Sequence, residues 1–95
     1  MTVYVVFTKE STQDQREFDI YRNKVGETLK EHPARFLAAF GPMQVLEGEA
    51  PEGVAILEFP TIAAVRAWYD SSAYQKVARH RFNGAKFRAV VVEGV

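Results

Sequence analysis

Five side chains in this sequence have the types and positions to handle a small molecule. Glu58 is a carboxylate in the otherwise apolar run Val54-Ala55-Ile56-Leu57-Glu58-Phe59. A charge among apolar neighbours must be paired or neutralised. It can act as a general base or accept a hydrogen bond from a ligand donor. It can equally close a salt bridge to Arg81 or Arg35, or reach solvent, because it lies beside the start of the next helix. Trp68, Tyr69 and Tyr74 cluster around a helix break. Rings at such spacing either wall a pocket or fill a core, and one face of Trp68 can pack while its edge lines a cavity. Arg81 can grip a carboxylate or phosphate with two parallel hydrogen bonds, or serve as a cation at a helix C-terminus or as a salt-bridge partner. Walls of Tyr21, Trp68 and Tyr74 with Glu58 and Arg81 as polar groups would make a mostly apolar ligand-binding site. Such a site suits a planar or aromatic organic molecule or a small acid.

Other chemistries lack their residues. There is no cysteine, so disulfides, thiolate metal sites and thiol catalysis are excluded. His32 and His80 are the only histidines and have no metal-ligand spacing. No Gly-rich phosphate loop, nucleophile elbow or dinucleotide fingerprint is present, so neither a cofactor nor a metal is expected. Twelve basic residues balance twelve acidic ones, which leaves no positive excess for nucleic-acid binding. No apolar run approaches the roughly 20 residues that span a bilayer, and Met1 to Phe7 lacks the basic start of a secretory signal. A cytoplasmic protein is the expectation. A length of 95 residues with 47% hydrophobic content predicts one domain, residues 1–95.

Periodicity predicts the elements that position these groups. Val3-Tyr4-Val5-Val6-Phe7-Thr8 is apolar on both alternating faces, as in a strand covered on both sides. Ser11 and Thr12, with Asp14 and Gln15 three residues on, are close to a capping box. Phe18, Tyr21, Val25 and Leu29 then recur at helical spacing, predicting a helix from Gln13 to Glu31. Gly26 inside it costs about 1 kcal/mol relative to Ala and is expected at a close packing contact. His32-Pro33 ends the helix. A second strand starts at Arg35, bends at Gly41-Pro42 and continues from Met43 to Glu47. Gly48 to Gly53 is a turn by composition, and Val54 to Phe59 is the third strand. Thr61 caps a helix that runs to Tyr69. Asp70-Ser71-Ser72 breaks it, a short helix follows from Ala73 to Phe82, Asn83-Gly84 is a turn, and Phe87 to Glu93 is the last strand.

The order β-α-β-β-α-β predicts an α+β sandwich of ferredoxin-like type: one four-stranded antiparallel sheet, helices on one face, strands one and three in the centre. The other face is also apolar and needs a cover, which a second copy of the chain supplies. Counting back from the Gly48 to Gly53 turn sets Glu47 opposite Val54 and Met43 opposite Glu58. Arg35 to Phe40 is then left without a partner in its own chain. An unpaired apolar edge seeks another strand. Phe36, Phe40 and the outward face of Val3 to Thr8 are therefore expected in a two-fold interface burying over about 1,000 Å². The predicted partners are a second copy and a small organic ligand, with no nucleic acid and no membrane.

Arg35-Phe36-Leu37, Gly41-Pro42, Val45-Leu46-Glu47-Gly48, Glu58-Phe59-Pro60, Arg81 and the ending Val92-Glu93-Gly94-Val95 are similar to the pattern of the domain-of-unknown-function family numbered 1330. The block Trp68-Tyr69-Asp70-Ser71-Ser72-Ala73-Tyr74-Gln75 carries the resemblance most specifically, and Tyr21 matches the aromatic of the first helix. The chain departs from the pattern at Pro33-Ala34, where the family usually has a Gly pair, and at Phe40, where it usually has Gly or a polar residue. The resemblance implies a dimeric α+β barrel, two sheets facing each other across a two-fold axis. It does not supply a reaction, since that superfold includes cofactor-free monooxygenases, lactone isomerases, haem-degrading enzymes and proteins with only a binding role. Two readings stay open: a small-molecule site between sheet and helices, with or without cofactor-free catalysis, and a non-catalytic dimeric module with a structural or regulatory role. An enclosed cavity touching the aromatic wall and Glu58 or Arg81 separates them.

Overall fold

The computed structural model describes residues 1–95. Strand β1 is Val3–Thr12, helix α1 Gln15–Leu29, strand β2 Arg35–Ala39, strand β3 Gly53–Phe59, helix α2 Ile62–Tyr69, helix α3 Ser72–Gly84 and strand β4 Ala85–Glu93. The strands form one four-stranded sheet in the order β2-β3-β1-β4, every neighbouring pair antiparallel. The two strands that read as apolar on both faces are the central pair, and the ferredoxin-like α+β fold is as predicted. Burial alternates strictly along them: Val3, Val5, Phe7 and Lys9 of β1 and Ala55, Leu57 and Phe59 of β3 are buried under the helices, with their neighbours only half covered. No helix is long and apolar enough to cross a membrane.

β1 runs past its predicted end because β4 needs a partner there. Ser11 pairs with Lys86 and Thr12 with Ala85 beyond a register shift after Lys9. The cap of α1 consequently moves from the Ser11-Thr12 box to Asp14, whose carboxylate accepts from the N–H groups of Arg16 and Glu17 at 3.0 and 3.3 Å. Thr61 caps α2 as predicted, accepting from the Ala64 N–H at 3.0 Å. Ser71 caps α3 by accepting from the Tyr74 N–H at 3.1 Å. Its hydroxyl donates to the Trp68 carbonyl at 2.7 Å, so one serine closes α2 and opens α3. Asn83-Gly84 is the end of α3 and not a separate turn.

The hairpin register differs from the count made on sequence. Arg35 pairs with Glu58, Phe36 with Leu57, Ala38 with Ile56 and Ala39 with Ala55, with a bulge at Leu37. Arg35 to Ala39 is thus the intrachain partner of β3, and Met43 to Glu47 lies outside the sheet. The cause is Phe40, which sits at φ 59°, in the left-handed region that favours glycine. Its N–H makes a last rung to the Val54 carbonyl at 2.9 Å, the chain then turns away, and Pro42 has no N–H with which to resume a ladder.

Close helix packing falls on Gly84, not on Gly26. A Cβ at Gly84 would lie 2.7 Å from the Phe18 nitrogen and 2.9 Å from the Asp14 carbonyl oxygen, whereas one at Gly26 meets nothing within 4 Å. Gly26→Ala is therefore expected to stabilise the fold by about 0.5–1 kcal/mol. Gly84→Ala should destabilise it by more than that, because α1 and α3 must separate. Chemical denaturation of the two variants checks both signs.

Candidate functional site

Trp68 sits at the centre of the helix-covered side. It is 0% exposed, its ring centroid lies 4.2 Å from that of Tyr74 and 5.6 Å from that of Phe59, and its indole N–H donates to Thr28 Oγ1 at 3.0 Å. The same Thr28 hydroxyl donates to the Val25 carbonyl at 2.6 Å, so α1 and α2 are joined through one polar group. The ring also forms part of a cleft lined by Phe7, Tyr21, Val25, Phe36, Phe40, Ala55, Leu57, Trp68 and Phe87, all apolar. Packing and cavity lining are both true of Trp68. The free space in the cleft is about 20 Å³, room for one water molecule.

Tyr21 and Tyr74 meet behind this wall, their hydroxyls 3.0 Å apart. Burial is the main cause that raises both phenols above the usual 10.0, and the charge of Arg81 opposes it only in part. Both groups are therefore neutral O–H donors at neutral pH. Arg81, in the last turn of α3, is 4% exposed. Its guanidinium carbon lies 5.1 Å from the ring centroids of Phe7 and Phe87, 5.6 Å from that of Tyr21 and 4.8 Å from that of Phe82. Its Nε has no hydrogen-bond partner.

The raised phenols set a direction for alkaline stability. Below pH 10 the tyrosines are protonated in both native and unfolded chains, and their contribution is complete. Above the ordinary value of 10.0 the unfolded phenols ionise while the native ones do not. Stability should then fall, by up to about 1.4 kcal/mol per pH unit for each phenol, until the pH passes the raised native values. Urea unfolding between pH 9 and 11 checks this: the slope should flatten in a Tyr21→Phe, Tyr74→Phe double variant.

Of the five predicted residues the structure brings together Tyr21, Trp68, Tyr74 and Arg81. Glu58 does not join them. It projects from the face of β3 opposite the helices, where Arg35 Nη2 lies 3.2 Å from its Oε2. Of the readings open for it, the salt bridge to Arg35 is the one realised. Phe36 and Phe40, expected in an interface, line the helix-side cleft; Phe36 pairs with Leu57 on the buried side of β3 and stays 43% exposed at the sheet edge. His80 faces Glu17, Nδ1 to Oε2 3.1 Å, and no group of three or more potential metal ligands is assembled.

One residue escaped the sequence reading. Lys9 is 9% exposed, with its ammonium 4.3 Å from the Phe18 ring centroid and 3.3 Å from Glu52 Oε1. That Glu52 oxygen also accepts from Thr12 Oγ1 at 2.6 Å, which, more than Lys9, holds its carboxyl below the usual carboxylate value. The signal was the strand alternation Val3, Val5, Phe7, Lys9, which ending the strand at Thr8 concealed.

Residues 2–95 match the family model described as a domain of unknown function, DUF1330. Among curated proteins none matches the chain. A protein of unknown function from Rhodopseudomonas palustris is similar in structure, with a TM-score of 0.77 at 15% identity over 99% of this chain and 82% of that one. A dimeric ferredoxin-like protein of unknown function from Thermobifida fusca gives 0.67 at 12% identity over 97% and 90%. SnoaB, a cofactor-independent oxygenase from Streptomyces nogalater, gives 0.66 at 10% identity over 99% and 93%. At these identities the likeness shows a shared fold.

Proposed function

The chain belongs to the DUF1330 family, and we propose that it binds a small organic molecule in the cleft between helices and sheet, as one protomer of a self-associated pair. The observation that carries this reading is the cleft wall: nine largely apolar residues, most of them aromatic and Tyr21 among them, with Tyr74 and a buried arginine behind it. Mostly apolar walls with a few fixed polar groups are the usual form of a small-molecule site. Phe40 supports it further. Its φ of 59° is a backbone strain of the kind that clusters at ligand sites, and its half-buried ring stands in the cleft wall. The site offers binding groups and no general base, since Glu58 faces away. The second reading, a dimeric module without a ligand, is favoured by the small free space of about 20 Å³.

Self-association is supported by the uncovered sheet face. Tyr4, Val6, Val54 and Ile56 are only half covered there, and Val90 and Val92 are 59% and 52% exposed. Met43, Val45 and Leu46 extend the apolar surface on the loop that leaves β2. Structural neighbours that are dimeric point the same way. Native mass spectrometry of the purified protein tests the reading. A two-protomer ion carrying a small-molecule adduct, lost on unfolding, is expected. Bare two-protomer ions, with no adduct after incubation with small aromatic compounds, would favour the module.

A further inference from the structure

The interior holds two buried charged side chains, Lys9 and Arg81, and both are cations. Lys9 has its counter-charge at the rim in Glu52, 3.3 Å away. Arg81 takes part in none of the six ion pairs of the chain, and its Nε is buried without an acceptor. Arginine cannot relieve such a position by losing its proton. A buried charge lacking a partner is costly, and the rings of Phe7, Tyr21, Phe82 and Phe87 offset that cost only in part. The hydroxyls of Tyr21 and Tyr74, which can both donate and accept, stand beside the guanidinium as neutral groups and supply no counter-charge. No group around the guanidinium carries a negative charge, and what Arg81 lacks is an anion.

Three of those rings, Phe7, Tyr21 and Phe87, also line the cleft, so the cleft and the guanidinium share a wall. Phe7 and Tyr21 are buried and fixed, whereas Phe40 and Phe87 are half-buried at the rim. Phe87 is at once a wall of the cleft and one of the rings over Arg81, so displacing it would open the cleft toward the guanidinium. Resting on the small-molecule reading above, we infer that the ligand is a small aromatic carboxylate. Its ring occupies the aromatic cleft, and its carboxylate supplies the counter-charge of Arg81 and accepts from the Tyr21–Tyr74 pair.

Trp68, the single tryptophan, lies in the cleft wall and reports occupancy by its fluorescence. Benzoate and its neutral isostere benzamide are the probes, titrated into wild type and Arg81→Gln. Wild type should bind benzoate saturably and at least about tenfold more tightly than benzamide, the worth of one charged hydrogen bond. Arg81→Gln should erase that preference, bringing benzoate down to the affinity of benzamide in the same variant. Equal affinity for the two probes, or a benzoate preference surviving in Arg81→Gln, overturns the inference and leaves the pocket standing. A Trp68 signal blind to both probes overturns the pocket reading with it. The comparison of probes on wild type needs no variant, so it decides the matter even if Arg81→Gln does not fold.

Discussion

Replacing Trp68 with alanine is expected to lower the unfolding free energy by about 3–5 kcal/mol, a large part of the 5–15 kcal/mol typical of a domain. The indole is 0% exposed, touches rings on β1, β3 and α3, and ties α2 to α1 through Thr28. Alanine would leave a cavity the size of the lost rings and a hydroxyl without its donor. Trp68→Phe should lose less, because the ring contacts are largely kept. Urea unfolding followed by circular dichroism measures both. A Trp68→Ala loss under about 1 kcal/mol would mean that the cleft wall is soft and that the core rests elsewhere.

The other large effect is expected on the uncovered sheet face. Val6 is at its centre, paired with Ile56 on one side and Val90 on the other. An aspartate there would bring two like charges into the proposed two-fold interface, one from each protomer. Burying a carboxylate without a partner costs several kcal/mol, so self-association should weaken by about a hundredfold or more, leaving monomer or aggregate. Sedimentation velocity at micromolar concentration reads this directly. Lys24→Asp on the exposed side of α1 should leave the assembly unchanged. A wild type that sediments as a monomer would remove the interface from the account.

Much of the fold was legible because burial writes its period into the sequence. The two-sided apolar runs around Val5 and Leu57 identified the central strands, and the stripe from Phe18 to Leu29 identified α1. What periodicity could not show was the backbone state of a single residue. Phe40 reads as the end of an apolar strand, and only its φ of 59° shows that the chain leaves the sheet there, which misplaced the hairpin register and with it Phe36. Four of the five candidate site residues do converge, because Tyr21, Trp68, Tyr74 and Arg81 lie on helix faces that pack on one side of the sheet. Glu58 stands apart from these four for a simple geometric reason. It alternates with Leu57 and Phe59, so their burial under the helices sends it to the other face. Lys9 obeys the same alternation in reverse.

The central claim is that a small organic molecule enters the cleft beside Trp68, and the indole N–H resonance of that single tryptophan tests it most directly. In a nitrogen–proton correlation spectrum this group, hydrogen-bonded to Thr28 at 3.0 Å, gives one isolated peak. Titration with a set of small aromatic compounds should move that peak saturably, together with the amides of Phe40 and Phe87 at the rim. Compounds that shift only the amides of the uncovered face, such as Val6, Ile56 and Val90, while the indole peak stays in place, would contradict the account.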